Sequence, residues 1–209
     1  LARTFLSLYW QSRVGGLFLS SGIPYDVDIV MGDLLETARL LRSGGYDGYL
    51  HLKILPGASH TDIEEAARLA SRISINVETT GPSRLRALSG VKDYGQDIMK
   101  RLAWVADAKP GRHTTQLVVG AAGETDAEIL SCVGDLYRAA QPSRIYYSAF
   151  HAMPKTRLET RSSTPAWRTN RWYQIDYLMR EYGLQVEELQ AAIRADGSLA
   201  DADPKEILA

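Results

Sequence analysis

Short apolar runs alternate with longer stretches of helical periodicity along the chain. Five runs have the β-branched and aromatic content of buried strands. They cover residues 17–21, 49–55, 73–78, 114–120 and 144–150. After each of them, apolar residues recur every three or four positions, which is the spacing of one helix face. The pattern predicts alternating strands and helices, with the strands running parallel.

Glycine, proline and capping residues predict where the helices begin and end. The predicted helices cover residues 27–41, 61–70, 83–108, 125–136 and 167–182. Thr61 with Glu64, and Thr125 with Glu128, have capping-box spacing. Residues 151–166 are predicted to be a loop, and 184–209 a short helix followed by an acidic tail. In the last long helix, which Gly183 should end, the expected core residues are Trp172, Ile175, Leu178, Met179 and Tyr182.

Five strands that alternate with helices allow two architectures. One is a (β/α) barrel or part of one, and the other is an open doubly wound sheet. No Gly-x-Gly-x-x-Gly follows the first run, which disfavours a dinucleotide-binding open sheet. In both architectures, chemistry is expected at the carboxyl ends of the strands, because backbone amides and helix N-termini converge there.

Composition narrows the class of protein. The 209 residues are 45% hydrophobic and 23% charged, with a formal net charge of −1, which excludes a globally basic nucleic-acid binder and an acidic disordered chain. Cys132 is the one cysteine, so the sequence itself offers no disulfide and no cysteine-held metal cluster, and we expect a cytoplasmic protein. No apolar stretch has the roughly 20 residues of a membrane span.

Polar residues stand at the ends of the predicted strands. Burying the charges of Lys53 or Glu78 is costly unless they are paired or face a polar site. They therefore allow two interpretations, an acid and a base at a polar mouth, or a structural ion pair between strands. The set at the strand ends is Ser20, Ser21, Gly22, His51, Lys53, Pro56, Gly57, Asn76, Glu78, Gln116, Gly120, Glu124, Ser148, Phe150 and His151.

Several candidates also have a purely structural interpretation. His51 could be a hydrogen-bonded core histidine, and Gln116 could form a hydrogen bond within a barrel layer. The aromatic residues of 146–150 could be ordinary core. Cys132 lies mid-helix on an apolar stripe, which predicts a buried, unreactive thiol.

Four segments, in this order, resemble the radical S-adenosylmethionine (SAM) superfamily. Residues 15–22 (GGLFLSSG) resemble the strand whose Gly-Gly-Glu-type motif holds the methionine amino group of SAM. Residues 75–78 (INVE) resemble the position that contacts the SAM ribose. Residues 118–126 (VVGAAGETD) resemble the family's glycine and Glu-Thr-Asp-x-Glu motif near the adenine, and residues 146–151 (YYSAFH) resemble the strand that borders it.

The resemblance implies a fold and a domain organisation. With residues 51–58 and the closing 203–205, the chain is most similar to the DNA modification or repair radical SAM proteins, often encoded beside a uracil-DNA-glycosylase-like protein. The implied fold is a partial (β/α)6 TIM-like barrel over residues 1–183, with 184–209 as an extension of the same domain.

Two departures from the family pattern affect the expected cofactor sites. The sequence lacks the family's first strand and its Cys-x3-Cys-x2-Cys loop. We therefore expect residues 1–13 to be the remainder of the first helix, with the cluster cysteines upstream of Leu1. The segment 20–22 also lacks the family's glutamate.

The resemblance further implies cofactors and chemistry. SAM would be cleaved reductively at a [4Fe–4S] cluster, with electrons from a reductant protein, giving a 5′-deoxyadenosyl radical that abstracts hydrogen from a substrate. Ser20, Ser21 and Gly22 would hold the methionine end, and Lys53 would meet the SAM carboxylate or a substrate anion. The implied ribose contacts are Asn76 and Glu78, and the residues implied around adenine are Gln116, Val118, Val119, Gly120, Ser148, Phe150 and His151.

Residues 155–171 carry five basic residues against one acidic residue, with Trp167, Trp172 and Tyr173 at or beside the end of this segment. Such a mixture suits phosphate and base contacts, and with the subgroup resemblance it suggests DNA or a nucleotide at Lys155, Arg157 and Arg161. A solvated helix face with core tryptophans is the alternative.

Two other functions stay open. One is a cluster-free barrel that acts as a binding module. The other is an ordinary barrel enzyme that uses Lys53 and Glu78 as acid and base.

Overall fold

Five strands connected by helices form the fold, as the alternation predicts. A computed structural model describes residues 1–208. The strands are β1 Gly16–Leu19, β2 Tyr49–Lys53, β3 Arg72–Ser74, β4 His113–Val119 and β5 Arg144–Ala149. The α-helices are α1 Ala2–Trp10, α2 Val27–Ser43, α3 His60–Leu69, α4 Pro82–Leu88, α5 Lys100–Ala108, α6 Asp126–Ala139, α7 Ala166–Tyr182, α8 Val186–Leu189 and α9 Pro204–Leu208. A π-helix, Tyr94–Met99, precedes α5, and a 3-10 turn, Gln190–Ala192, follows α8.

Strand order decides between the two predicted architectures. The strands are neighbours in chain order, β1-β2-β3-β4-β5, and the pairs from β1 to β4 are parallel. A doubly wound sheet would reverse its order at a switch point. The unbroken order is that of a (β/α) barrel wall, and the open-sheet alternative is wrong.

The chain divides into two compact units. The first contains residues 1–76 and 95–114, and the second contains 77–94 and everything from residue 115 onward. In the first unit Leu50, Leu52 and Ile73 are fully buried, and in the second Ile145 and Trp172 are. Burial of these side chains supplies the main driving force for folding of each unit.

One predicted capping box is confirmed and the other is wrong. Thr125 accepts a hydrogen bond from the Glu128 amide at 3.2 Å, and the Glu128 carboxylate accepts one from the Thr125 amide at 2.8 Å. Helix α3, however, begins one residue before Thr61, because the Ser59 hydroxyl caps it by accepting from the Asp62 amide at 3.1 Å. Both candidates are helix-starting residue types, and the earlier one is the cap.

The single helix predicted over 83–108 is wrong as one element. Helix α4 ends at Leu88, and Ser89 is extended. Gly90 lies in the interruption, and glycine is a poor helix former. The chain resumes as the π-helix, in which Ile98 is buried, and runs directly into α5. π-Turns are rare and costly outside functional or strained positions.

The third strand is shorter than predicted, because a side chain interrupts its ladder. The Val77 amide donates to the Thr115 hydroxyl at 3.1 Å, not to a backbone carbonyl. Pairing with β4 returns at Glu78, whose amide donates to the Gln116 carbonyl at 2.9 Å. Hydroxyl groups compete with backbone carbonyls in this way. Residues 75–77 are therefore buried but lie outside the regular strand.

Helix α7 follows the prediction except near its end. Trp172, Ile175 and Leu178 are buried, and Gly183 ends the helix with φ +72. Met179 is only half-buried and Tyr182 is 62% exposed, so those two expected core positions are wrong. The last turn extends past the packed surface, and the buried residue missed at that end is Asp176.

Candidate functional site

In the first unit, the loop after β1 and the ends of β2 and β3 carry polar groups that the protein leaves unused. Ser20 and Ser21 are exposed, and Lys53 is half-buried; their side chains make no hydrogen bond or ion pair within residues 1–208. Asn76 is 9% exposed, and its carboxamide likewise has no hydrogen-bond partner among the described residues. The Asn76 side chain is largely buried but its carboxamide is not enclosed, so, like Ser20, Ser21 and Lys53, it is available to a ligand.

His51 is satisfied by the protein itself. Its Nε2 lies 2.8 Å from the Ser74 hydroxyl, and its ring meets Phe18 edge to face at 4.7 Å. Burial, reinforced by the positive charge of Arg72, lowers the pKa of His51 to about 4. The imidazole is therefore neutral at pH 7, which supports the structural interpretation and excludes an imidazolium role there.

In the second unit, Glu78 has an unusual backbone. Its φ is +69, a region that few non-glycine residues adopt; Ser12, Gln141 and Lys155 also adopt it in this chain. Two hydrogen bonds to β4 hold it, from the Glu78 amide to the Gln116 carbonyl and from the Val118 amide to the Glu78 carbonyl at 2.8 Å. Its half-buried carboxylate has no partner within the described residues. The protein thus fixes a strained residue and leaves its acceptor oxygens free.

Neighbouring strands place further polar groups in the second unit. The Gln116 amide nitrogen donates to the Ser148 hydroxyl at 2.7 Å, so this pair joins β4 to β5. Phe150 is buried, and its amide donates to the Val119 carbonyl at 3.0 Å. His151 is exposed. Gln116 therefore has the structural role that we gave as its alternative, while its carbonyl oxygen keeps acceptor capacity.

The turn after β4 is fixed from inside by Glu124. This carboxylate is 5% exposed and accepts hydrogen bonds from the amides of Gly120 and Ala122. Gly120 has φ +88, and a Cβ there would overlap the Thr164 hydroxyl, which donates to the Val119 carbonyl at 2.7 Å. Only glycine fits this position without strain. The motif that resembles the adenine segment of the SAM family is thus a rigid backbone turn.

Asp126 is a buried hub that sequence analysis missed. It is 2% exposed and accepts from Arg168 Nε at 2.8 Å, from the Trp172 indole at 2.8 Å and from the Leu199 amide at 2.8 Å. The hub ties the start of α6 to α7 and to the C-terminal segment. A sequence signal existed, since Arg168 and Trp172 share one helix face at i, i+4 spacing, but nothing local linked them to Asp126.

Comparison with solved structures finds proteins of similar fold. The chain is similar to a domain of pyruvate-formate lyase-activating enzyme from Bacteroides vulgatus ATCC 8482, with a TM-score of 0.55 and 16% sequence identity. The match covers 82% of this chain and 97% of that one. The fold is a partial radical SAM (TIM-like) barrel. No protein-family model matches the sequence, and no curated protein does.

Within that fold, the basic segment is largely structural. Arg168 is bound to Asp126, and Arg171 Nη1 donates to Gln174 Oε1 at 2.9 Å. Trp172 is fully buried. The second half of the run 155–171 therefore follows the alternative of a structural helix with a core tryptophan. The candidates in the first half stay accessible: Lys155 and Arg157 are exposed, and Arg161 is half-buried near Gly123.

The described residues supply no metal site. Among residues 1–208, no group of three or more His, Cys, Asp and Glu side chains could hold a metal ion. Cys132 lies within α6, and burial raises the pKa of its thiol to about 11, as expected for an unreactive cysteine. Within the same residues, no helix is long and apolar enough to cross a membrane. Asn76 in the first unit and Glu78 in the second are each available to a polar organic ligand.

Proposed function

We propose that this chain is the SAM-binding part of a radical SAM enzyme that cleaves SAM reductively at a [4Fe–4S] cluster and acts in DNA modification or repair. The observation that carries the proposal is Glu78, a strained residue held by two ladder hydrogen bonds with a free carboxylate. The solved neighbour is itself a domain of an activating enzyme of the radical SAM family, which supports the same fold-level assignment.

The residues present suit the nucleoside of SAM. A fixed carboxylate such as Glu78 accepts hydrogen bonds from ribose hydroxyls, as acidic residues do in dinucleotide sites. In the first unit, the Asn76 amide offers a donor and an acceptor. The segment 118–120, which the resemblance assigns to the adenine, is held as a rigid turn by Thr164 and Glu124 and would border the base with its backbone. In the first unit, the free hydroxyls of Ser20 and Ser21 would bind the methionine end.

The residues present do not suit the cluster. One buried cysteine with a raised pKa cannot supply three thiolates. In this proposal the cluster cysteines therefore come from outside residues 1–208. What the described residues contribute is the binding and orientation of SAM, and the exclusion of water around its ribose.

The nature of the substrate and partners rests on the subgroup resemblance. DNA or a nucleotide is the proposed substrate, with Lys155, Arg157 and Arg161 as candidate phosphate contacts. The proposed protein partners are a reductant and a uracil-DNA-glycosylase-like protein. The accessibility of Lys155 and Arg157 supports this assignment.

The test is biochemical and uses the full-length protein. After anaerobic reconstitution, we expect about four iron and four sulfide per chain, visible cluster absorbance, and 5′-deoxyadenosine release from SAM under reductant. Glu78→Gln should weaken SAM binding by about tenfold, since it removes charge-assisted acceptors. Glu187→Gln, at an exposed position of α8, is the matched control. A protein that assembles no cluster and releases no 5′-deoxyadenosine refutes the enzyme assignment.

A second candidate function is a binding module without a cluster, because residues 1–208 contain no group of side chains that could hold a metal ion. Without metal-ligating groups among residues 1–208, the barrel could bind SAM or another nucleoside and leave it intact. SAM binding to the full-length protein that is weakened by Glu78→Gln, in the absence of any cluster, would select this function.

A further inference from the structure

One face of the sheet formed by β1, β2 and β3 is exposed along β1 and the start of β2, although parallel sheets are normally covered on both faces. On the covered face, Leu19, Leu50 and Leu52 are at most 4% exposed. On the opposite face, Phe18 is 57% exposed and Tyr49 is 47% exposed. Large aromatic side chains at such exposure lose the stabilisation that burial would give, which suggests that they serve binding.

The aromatic residues of this face are aligned by strand register. Phe18 pairs with His51 and His51 pairs with Arg72, so the three form one row across the strands. The Phe18 and His51 rings are 4.7 Å apart, and Tyr49 lies 6.4 Å from His51. Gly16, the strand partner of Tyr49, adds no side chain there; a Cβ at Gly16 would lie 3.5 Å from Tyr49 Cδ1. The face therefore presents three aromatic rings, and the position on β1 opposite Tyr49 carries no side chain.

Two cations on the same face are unused by the protein. Arg72 lies in the row with His51, and Lys53 lies one row further along, paired with Ser74. Neither side chain makes an ion pair or hydrogen bond within the described residues, and both are half-buried. The two rows are about 7 Å apart, from the strand rise of about 3.3 Å per residue. No acidic residue occupies this face of β1, β2 or β3.

We infer that this face of β1–β3 binds a nucleotide of single-stranded nucleic acid, the base against Phe18 and Tyr49 and the phosphate at Arg72 with Lys53. Rings accept any base by stacking, and cations without acidic neighbours attract the backbone. The inference rests on the proposed function, since it assigns a substrate surface of that enzyme. It adds Phe18, Tyr49 and Arg72, which neither the resemblance nor the basic segment indicated.

The test measures binding without iron or SAM, so that it succeeds or fails independently of SAM cleavage. A 5′-fluorescein-labelled dT10 strand is titrated with the full-length protein, and anisotropy is followed at several salt concentrations. Phe18→Leu should weaken binding about tenfold, as expected for one lost stacking contact. Arg72→Gln should weaken binding and reduce the slope of log K against log salt by about 0.7, the value for one phosphate on a single strand.

Matched controls separate this surface from general effects. Tyr182→Leu removes an exposed aromatic of α7, and Arg68→Gln removes an exposed cation of α3; neither should change the affinity or the slope. If Phe18→Leu does not fold, Tyr49→Leu takes its place. The inference is overturned if the strand does not bind, if both site variants bind like the parent, if dT10·dA10 duplex binds equally well, or if free dTMP binds and the strand does not.

Discussion

At the scale of single residues, the Glu-Thr-Asp segment is used by the protein for its own folding. Glu124 closes the turn after β4, Thr125 caps α6, and Asp126 binds Arg168. The resemblance to the SAM family identified the segment correctly as special. It could not reveal that the Glu124 and Asp126 side chains are buried, and the partners of Asp126 lie 42, 46 and 73 residues away.

Replacing Asp126 with Asn should destabilise the protein strongly. The change leaves the largely buried Arg168 guanidinium without a counter-charge, and broken buried pairs cost about 3 kcal/mol or more. Urea unfolding measures the loss. Asp135→Asn is the control, because its pair with Arg138 is exposed on both sides and should contribute less than about 1 kcal/mol. Equal losses in the two variants would contradict the role of Asp126 as a hub.

His51 should make stability depend on pH. Its pKa is lowered from 6.5 to about 4 in the folded state, so the unfolded chain binds the proton more tightly. The folded state is therefore favoured above pH 6.5, and this advantage is lost as the pH falls toward 4. The full shift would correspond to about 1.4 kcal/mol of unfolding free energy for each pKa unit. Because the side chain is only half-buried, solvent screens the charge and we expect a smaller loss, about 1–2 kcal/mol in total.

The measurement compares variants at two pH values. His51→Gln keeps a hydrogen-bonding group near Ser74 and should show a smaller loss of unfolding free energy between pH 7 and pH 4.5 than the parent. His60→Gln, at a half-exposed position of α3, should follow the parent. A parent and His51→Gln variant with identical pH dependence would show that His51 carries no such linkage.

At the scale of elements, the strands and most helices could be predicted because their signals are local. Each of the five apolar runs overlaps one of the five strands. The predicted bounds of α7, which ends at Gly183, agree with the observed bounds to within one residue. The errors arose where a distant side chain competed for a backbone group. The Val77 amide donates to the Thr115 hydroxyl just beyond the end of β3 at Ser74. No periodicity in the sequence encodes that exchange.

The turn between β4 and α6 should not tolerate a side chain at Gly120. With φ at +88 and the Thr164 hydroxyl in the way, Gly120→Ala should cost about 1–3 kcal/mol of unfolding free energy. Gly32→Ala is the control inside α2, where a Cβ meets nothing within 4 Å; it should stabilise the helix by about 0.5–1 kcal/mol. Chemical denaturation of both variants tests the contrast. A Gly120→Ala protein as stable as the parent would remove the argument for a rigid turn.

At the scale of the whole molecule, the chain-order sheet follows from short crossover connections, which is why the barrel class could be predicted. The exposed aromatic face of β1–β3 could not be predicted from the sequence. In the sequence, Phe18 and Leu19 are both apolar and adjacent, and only the sheet assigns them to opposite faces. A binding surface made of ordinary strand residues therefore leaves no motif, unlike the glycine and acidic residues of the β4 turn.

If the folded chain binds SAM and the unfolded chain does not, SAM must stabilise it by mass action. At a SAM concentration 100 times Kd the gain is about 2.7 kcal/mol, which for a chain of this length raises Tm by about 5–10 °C. Scanning calorimetry of the full-length protein with and without SAM measures the shift. Glu78→Gln should reduce it by about half, because a tenfold loss of affinity at fixed SAM removes about 1.4 kcal/mol, whereas Glu187→Gln should preserve it. S-adenosylhomocysteine, which carries the same adenosine, should stabilise the protein as well if Glu78 recognises the ribose. If the parent, Glu78→Gln and Glu187→Gln proteins all show the same Tm shift with SAM, then SAM binds elsewhere on the chain.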